Sequence, residues 1–550
     1  MTRPDGRSTH EVTNQPPPLV DYNVFTADAA LQEAVERYAG PTAADNLSDL
    51  THVGRWAGTG AVQQWGAQAN ANPPVLHTHD RYGNRIDEVE FHPAWHELLQ
   101  KAVGYGLQGA PWASDARQAA HLRRAAGFVV WSQVEAGHGC PLSMTYAAVP
   151  ALRVDPSVAA DWVPGLTALS YDQWLRPPAQ KSGLLAGMGM TEKQGGSDVR
   201  SNSTRAEPLA EDGTYSLTGH KWFCSAPMCD VFLMLAQAAG GLTCFVVPRV
   251  LPDGTRNVFR IQRLKDKLGN RSNASAEIEL DGTWARRLGD EGRGVATIIE
   301  MVSATRLDCV LGSTALMRQA VSQAAHHARH RSAFGGPLAD KPLMRNVLAD
   351  LAVESEAATL LAMRLAHSFD SGERDLRRLA VAVGKYWVCK RTPAVVGEAL
   401  ECLGGNGYVE ESGLPRLYRE APLNSIWEGS GNVNALDVLR ALGREPAVVE
   451  AFVAEAETAR GGDARLDAAL DRLGKALTTV DEAGARRLVE LMGLVLQGSL
   501  LVRHSPTYVA DAFCASRLST DGADRGGAFG TLPAGLDTAA IVTRATPDLP

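Results

Sequence analysis

The period of the hydrophobic positions changes along the 550-residue chain, and the changes mark its segments. From about Ala27 to Tyr171 the spacing is mainly helical. Asp115–Gln133 carries Ala, Leu, Phe and Val at helical intervals, and Asp45–Thr59 is a shorter amphipathic stretch. Gly-, Pro- and Asn-rich loops are expected at Gly66–Pro74 and Gly104–Pro111. From about Gly183 to Gly289 the pattern shortens to β-branched and aliphatic runs at 215–218, 231–235, 243–247, 258–261 and 276–280. Turn signals such as Asp212-Gly213 and Pro252-Asp253-Gly254 separate them, predicting a β domain.

After Glu291-Gly292-Arg293-Gly294 the helical period returns. It predicts helices over 295–329, 343–370, 376–403 and 431–442, with a boundary at Gly443-Arg444-Glu445-Pro446. Ala/Leu/Arg-rich helices follow to about Ser516, then a Gly/Asp-rich tail that reads as loose from 519. The chain is thus mainly α with a central β domain: an N-terminal helical domain (1–182), a β domain (183–290), a helical bundle (291–443) and a C-terminal helical extension (444–550). No βαβ alternation suggests a doubly wound sheet.

With 45% hydrophobic and 21% charged residues the composition argues against a disordered or fibrous chain. The net charge of −8 argues against a protein that grips nucleic acid with its whole surface. No apolar run approaches the roughly 20 residues of a membrane span, and Met1–Pro18 has no apolar leader core, so no membrane partner is expected. Eight scattered cysteines without CxxC pairs fit a reducing, cytoplasmic setting. Nothing near Cys224 and Cys229 completes a zinc site. His326, His327 and His330, beside Arg329 and Arg331 at a helix end, read as capping or surface charge; no metal is expected.

Six blocks carry candidate chemistry. Gly187–Asp198 is glycine- and hydroxyl-rich; it is either a structural turn or a segment whose N–H groups and hydroxyls face a ring carbonyl or a phosphate. It lacks the Rossmann and P-loop spacings. Gly219–Ser225 sets Trp222 and Phe223 side by side, as core or as a platform for a flat cofactor. Lys265–Ser272 is a polar loop before a strand. Arg331–Gly335 and Leu403–Tyr408 offer an arginine suited to a pyrophosphate and glycines that are either a C-cap or a close backbone approach. Ser425–Asn432 is the sharpest, with Glu428 between an aromatic and a Gly-Ser-Gly turn. Such a carboxylate either caps the following helix or acts as a base. An apolar pocket raises a carboxylate's pKa, as removal of a weakly acidic C–H proton requires.

Taken in order, these blocks resemble the acyl-CoA dehydrogenase superfamily over roughly Ala27–Leu442. Within it they are most similar to the AidB branch, flavoproteins of the bacterial adaptive response to alkylation damage. The segments 187–197, 265–275 and 418–431, and the start Asn14-Gln15-Pro16, resemble that branch almost residue for residue. The resemblance implies a helical domain, a β-barrel-like domain and a four-helix bundle, with the residues after Pro446 as the branch's extension. It also implies one FAD per subunit and a homotetramer arranged as a dimer of dimers.

Met188, Thr191 and Ser197, with Phe223, Cys224 and Ser225, match positions around the flavin ring. Ile426, Trp427, Gly429, Ser430, Gly431 and Asn432 match the segment that closes over it. Arg331, Phe334, Gly404 and Gly405 match residues that reach a neighbouring subunit's FAD. Glu401 stands where many members carry Gln, and a carboxylate there would repel a pyrophosphate. Glu428 matches the catalytic base, and Arg306 matches a helix arginine near the base and the CoA entrance.

Three functions follow from the resemblance: an AidB-type flavoprotein with weak or orphan dehydrogenase activity that protects DNA, an ordinary dehydrogenase of a short or branched acyl-CoA, or a DNA-binding module that keeps FAD for stability. In the branch the extension is linked to double-stranded DNA. Here Pro446–Pro550 holds 10 Lys and Arg against 14 Asp and Glu, a local −4 that weakens this reading. Arg440, Arg486, Arg487 and Arg503 are the candidate DNA stripe.

Overall fold

The computed structural model describes residues 9–519 and 527–548. Val231–Ala238 has no polar alternation, and a strand of that kind needs cover on both faces. It receives it inside a closed ring of strands. Arg205–Pro208 pairs with Thr214–Ser225, which pairs with Ser275–Leu288; that strand joins Gly241–Pro248, which pairs back onto Val231–Ala238. The short contact Arg205↔Gln237 completes the ring, while Ala186–Gly189 and Arg260–Leu264 add to its outside. The β domain is therefore barrel-like, as the resemblance implies. A fully buried ion pair, Lys221 Nζ to Glu192 Oε1 at 2.8 Å, ties the glycine-rich loop to this barrel.

Among the described residues, seven α-helices and one hairpin precede the barrel. The hairpin, Val75–His79 with Arg85–Glu90, is a departure from the helical reading of this segment. A second departure is Gly66, expected in a loop but lying within the helix Gly60–Ala71. A Cβ there would stand 2.4 Å from the Val134 carbonyl, so the glycine serves close packing. Arg124 joins this domain to the long helix Gly294–His330: its Nη2 donates to Asp308 Oδ2 at 2.8 Å, both side chains being buried.

The long helix packs with Pro342–Asp370 and Arg374–Cys402, and Gly431–Arg444 completes the four-helix bundle against Arg374–Cys402. Gly443 does not stop a helix; the chain runs helical to Arg444 and restarts at Pro446. The extension shares the bundle's hydrophobic core through Phe452, Leu466, Val489, Met492 and Phe513. Trp387 of the bundle donates to Gln497 Oε1 at 2.8 Å, and a Cβ at Gly493 would sit 2.9 Å from the Trp387 ring.

The tail corrects the expectation of a loose end. Its residues 520–526 lie outside the described ones, but Thr538–Ala545 is a helix. Buried Ile541 and the pairing of Arg544 with Glu33 and Glu356 dock it on the body. Among the described residues no helix is long and apolar enough to cross a membrane.

Candidate active site

Glu428 occupies the turn between Leu423–Ser425 and the helix Gly431–Arg444. Its φ of 55° lies in the left-handed region, which a non-glycine residue adopts only when its surroundings enforce it. Three helices supply that enforcement. From the long helix, Thr305 Oγ1 donates to Glu428 Oε2 at 2.7 Å and Arg306 Nε to the Glu428 carbonyl at 3.3 Å. From Gly431–Arg444, Asn434 Nδ2 donates to the Gly429 carbonyl at 2.7 Å. From Arg374–Cys402, Lys385 Nζ donates to that same carbonyl.

Arg306 is itself fixed by Asp437 at 2.6 Å, and Arg378 grips the other carboxylate oxygen at 3.0 Å. Burial pushes the Asp437 carboxyl up, but the two guanidinium groups outweigh it and hold it below the usual carboxylate range. Trp427 is pinned by its Nε1 donating to Asn424 Oδ1 at 3.0 Å. Arg306, expected near the base and the CoA entrance, stands beside the base and holds its turn.

The end of the strand Thr214–Ser225 faces this turn across Cys140. Burial pushes the Cys140 thiol up to about 12; the neighbouring Lys267 lowers it, the Glu428 charge raises it, and the side chains of Asn273 and Ser225 lie beside it. The Trp222 N–H donates to the Thr191 carbonyl at 2.8 Å, so the glycine-rich loop and the Trp222-Phe223 pair form one surface. On that surface Met188, Thr191, Trp222 and Ser225 are half-buried, Ser197 is exposed and Phe223 is 49% exposed. Cys224, expected at the ring, has its thiol buried in the barrel core: a register shift between Lys221 and Cys224 turns it to the same side as Tyr215, Leu217 and Lys221.

The other expected constellation lies apart. Arg331, Leu338, Glu401, Gly404 and Gly405 line one cleft of about 320 Å³. A second cleft, of about 690 Å³, runs between Gln15–Val20, Gln323 and His326 of the long helix, and Glu410–Gly413. Neither includes Glu428. Gly404 has a φ of 58° and no atom within 4 Å of a Cβ built on it. Phe334 is 93% exposed with a φ of 52°.

Of the three histidines, His330 is exposed and meets the His326 carbonyl at the helix end, while the other two depart from the surface reading. His326 and His327 are buried, and His326 Nε2 meets the Pro17 carbonyl at 2.8 Å. Burial first, then Arg331 and His326, push His327 down to about 4. Of the candidate DNA arginines, Arg440, Arg486 and Arg487 are exposed, but Arg503 is half-buried and pairs with Glu455 at 2.6 Å.

Thr305, Lys385 and Asn434 escaped the sequence reading. Only Lys385 left a trace there, as a lone cation in the apolar run Val381–Cys389.

A helical domain, a barrel and a four-helix bundle that holds the Glu428 turn define an acyl-CoA dehydrogenase-type fold. Three family models match the chain: the adaptive response protein AidB N-terminal domain over 14–173, the acyl-CoA dehydrogenase middle domain over 187–283 and the acyl-CoA dehydrogenase C-terminal domain over 292–443. AidB of Escherichia coli (strain K12) is 47% identical over 522 residues, 94% of this chain and 96% of the relative. Acyl-CoA dehydrogenase family member 11 of Caenorhabditis elegans is 32% identical over 82% of this chain and 76% of the relative. The crystal structure of Caenorhabditis elegans ACDH-11 in complex with C11-CoA superposes with a TM-score of 0.84, at 28% identity, covering 94% of this chain and 95% of that one. The chain belongs to the AidB branch of the acyl-CoA dehydrogenase family.

Its cofactor is FAD, as in the family. The residues present fit that group. Phe223 and Ile426 keep large apolar surface open to solvent, suited to a flat ring, with the hydroxyls of Thr191 and Ser225 on the same barrel surface as Phe223. The bare backbone at Gly404 and Gly405 beside the Arg331 guanidinium suits a phosphate.

Proposed function

We propose that the protein performs α,β-dehydrogenation of an acyl-CoA thioester with Glu428 as the base. The observation that carries this reading is the Glu428 turn, where a carboxylate is oriented by Thr305 and its backbone is gripped from three helices. A base for a carbon acid must be held at a fixed distance from one C–H bond, and such a grip provides it. Glu428 takes the α-proton of the thioester; bound FAD would accept the hydride lost from Cβ, so that the Cα–Cβ bond becomes double.

Met188, Thr191, Ser197, Phe223 and Ser225 hold the ring, while Ile426, Trp427, Gly429, Ser430, Gly431 and Asn432 close over it. Arg331, Phe334, Gly404 and Gly405 serve a neighbouring subunit's FAD in a homotetramer. Detection of the 2-enoyl thioester after incubation with a short or branched acyl-CoA and an electron acceptor tests the reading. Unchanged thioester in every case counts against it.

The exposed Arg440, Arg486 and Arg487 favour a second, DNA-protecting role in the cytoplasm, as the AidB likeness suggests. Duplex binding that weakens steeply with added salt is its expected sign.

A further inference from the structure

Lys385 lies in the middle of the helix Arg374–Cys402 at 1% exposure, flanked by buried Val381, Ala382, Val383, Trp387, Val388 and Cys389. A lysine in such a place normally pairs with a carboxylate, because a buried ammonium without a counter-charge is costly. Among the described residues no carboxylate pairs with this one. Its Nζ donates to the carbonyl of Gly429, the residue after Glu428. The same carbonyl accepts from Asn434, and the preceding one accepts from Arg306, so the two peptides that set the Glu428 backbone end on side-chain donors. A packing role alone would be met by methionine, which has the same reach and no desolvation cost. A cation is retained there because it grips a carbonyl in a turn whose base sits at a φ of 55°.

We propose that Lys385 is a positioning residue for Glu428. Its ammonium clamps the 428–429 turn onto the bundle and thereby fixes where the carboxylate stands relative to the substrate's α-carbon. The inference rests on the reading of Glu428 as the base. Lys385 touches neither substrate nor flavin in this account; it acts through the turn.

The test uses the full-length FAD-loaded protein as wild type, K385M, K385R and N434A. Amide hydrogen exchange is followed across Trp427–Asn434, and the rate of flavin bleaching is measured with a thioester that reduces the wild type. K385M is expected to exchange about tenfold faster in that segment alone. Its bleaching rate at saturating thioester falls about a hundredfold, with FAD content and thioester affinity kept. K385R restores both readouts in large part, and N434A, which removes the other donor to the same carbonyl, shows a smaller change confined to the same segment.

Two results overturn the proposal. One is K385M with wild-type exchange and wild-type bleaching. The other is exchange that rises throughout the chain with K385R no better than K385M, the mark of lost packing. If no thioester bleaches the wild type, the dehydrogenase reading falls, and the exchange pattern alone decides whether Lys385 holds the turn.

Discussion

Around Glu428 most polar groups are tied, although Asn434 Oδ1 is buried without a hydrogen-bond partner. Thr305 holds the carboxylate, Arg306 is locked by Asp437, and Lys385 and Asn434 share one carbonyl. Around Arg331, some of the same residue types stand open. Gly404 and Gly405 face empty space, Phe334 projects almost fully into solvent, and Glu401 opens into the cleft that Arg331 lines. The first region is held by this chain's own side chains, and the second is left open. The contrast teaches that the proposed base can be oriented before any assembly, whereas the open cleft is what the proposed site for a neighbouring subunit's FAD would need.

The largest expected effect lies at the finished end. Glu428→Gln should keep FAD and cut flavin reduction by acyl-CoA about a thousandfold to ten-thousandfold, read by anaerobic stopped flow. Near-normal reduction would mean that a different group is the base.

Next comes the buried charge behind the turn. Burial first, and then the Glu135 charge, push Glu420 up to about 7, above its ordinary 4.5. A carboxyl raised by folding stabilises the protein below its unfolded value and loses that contribution as the pH climbs through the folded one. Wild-type stability should therefore fall between about pH 4.5 and 7, by on the order of 3 kcal/mol from this group. Glu420→Gln, which keeps an acceptor for the Asn270 N–H, should flatten that slope in melting curves. Parallel curves for the two proteins would remove Glu420 as the cause.

At the open end, Arg331→Ala should weaken FAD retention about tenfold to a hundredfold while leaving the reduction rate of fully loaded protein near wild type. A loss in rate at full loading would erase the division between the two regions. The smallest effect is expected for Glu401→Gln. Removing an exposed negative charge from the cleft that Arg331 lines should tighten FAD by a factor of about three, measured by equilibrium release.

The sequence conveyed the layout wherever burial follows a simple period. Val231–Ala238 and Gly241–Pro248 are apolar along their length, and the bundle helices repeat every third or fourth position, so both were legible. The hairpin Val75–Glu90 was not, because its half-exposed strands carry His, Thr, Asp and Glu in place of an apolar face. Residues 538–545 were read as loose because the short helix docks through one buried isoleucine and an arginine.

At the site, Glu428 and the glycine-rich loop were recognisable as contiguous words. Thr305, Lys385 and Asn434 were not, since they meet the turn only after three helices have packed. Cys224 was named with Phe223 and Ser225 at the ring, but its thiol is buried: a register shift between Lys221 and Cys224 changes which residues face inward, and such a shift leaves no mark in the sequence.

The most direct measurement is an anaerobic titration of the FAD-loaded protein with a panel of short and branched acyl-CoA thioesters, with Glu428→Gln alongside. The account predicts that at least one thioester bleaches the visible flavin band in the wild type and leaves the variant's band intact. A wild-type band that persists through the whole panel, or a variant that bleaches as fast, would contradict it.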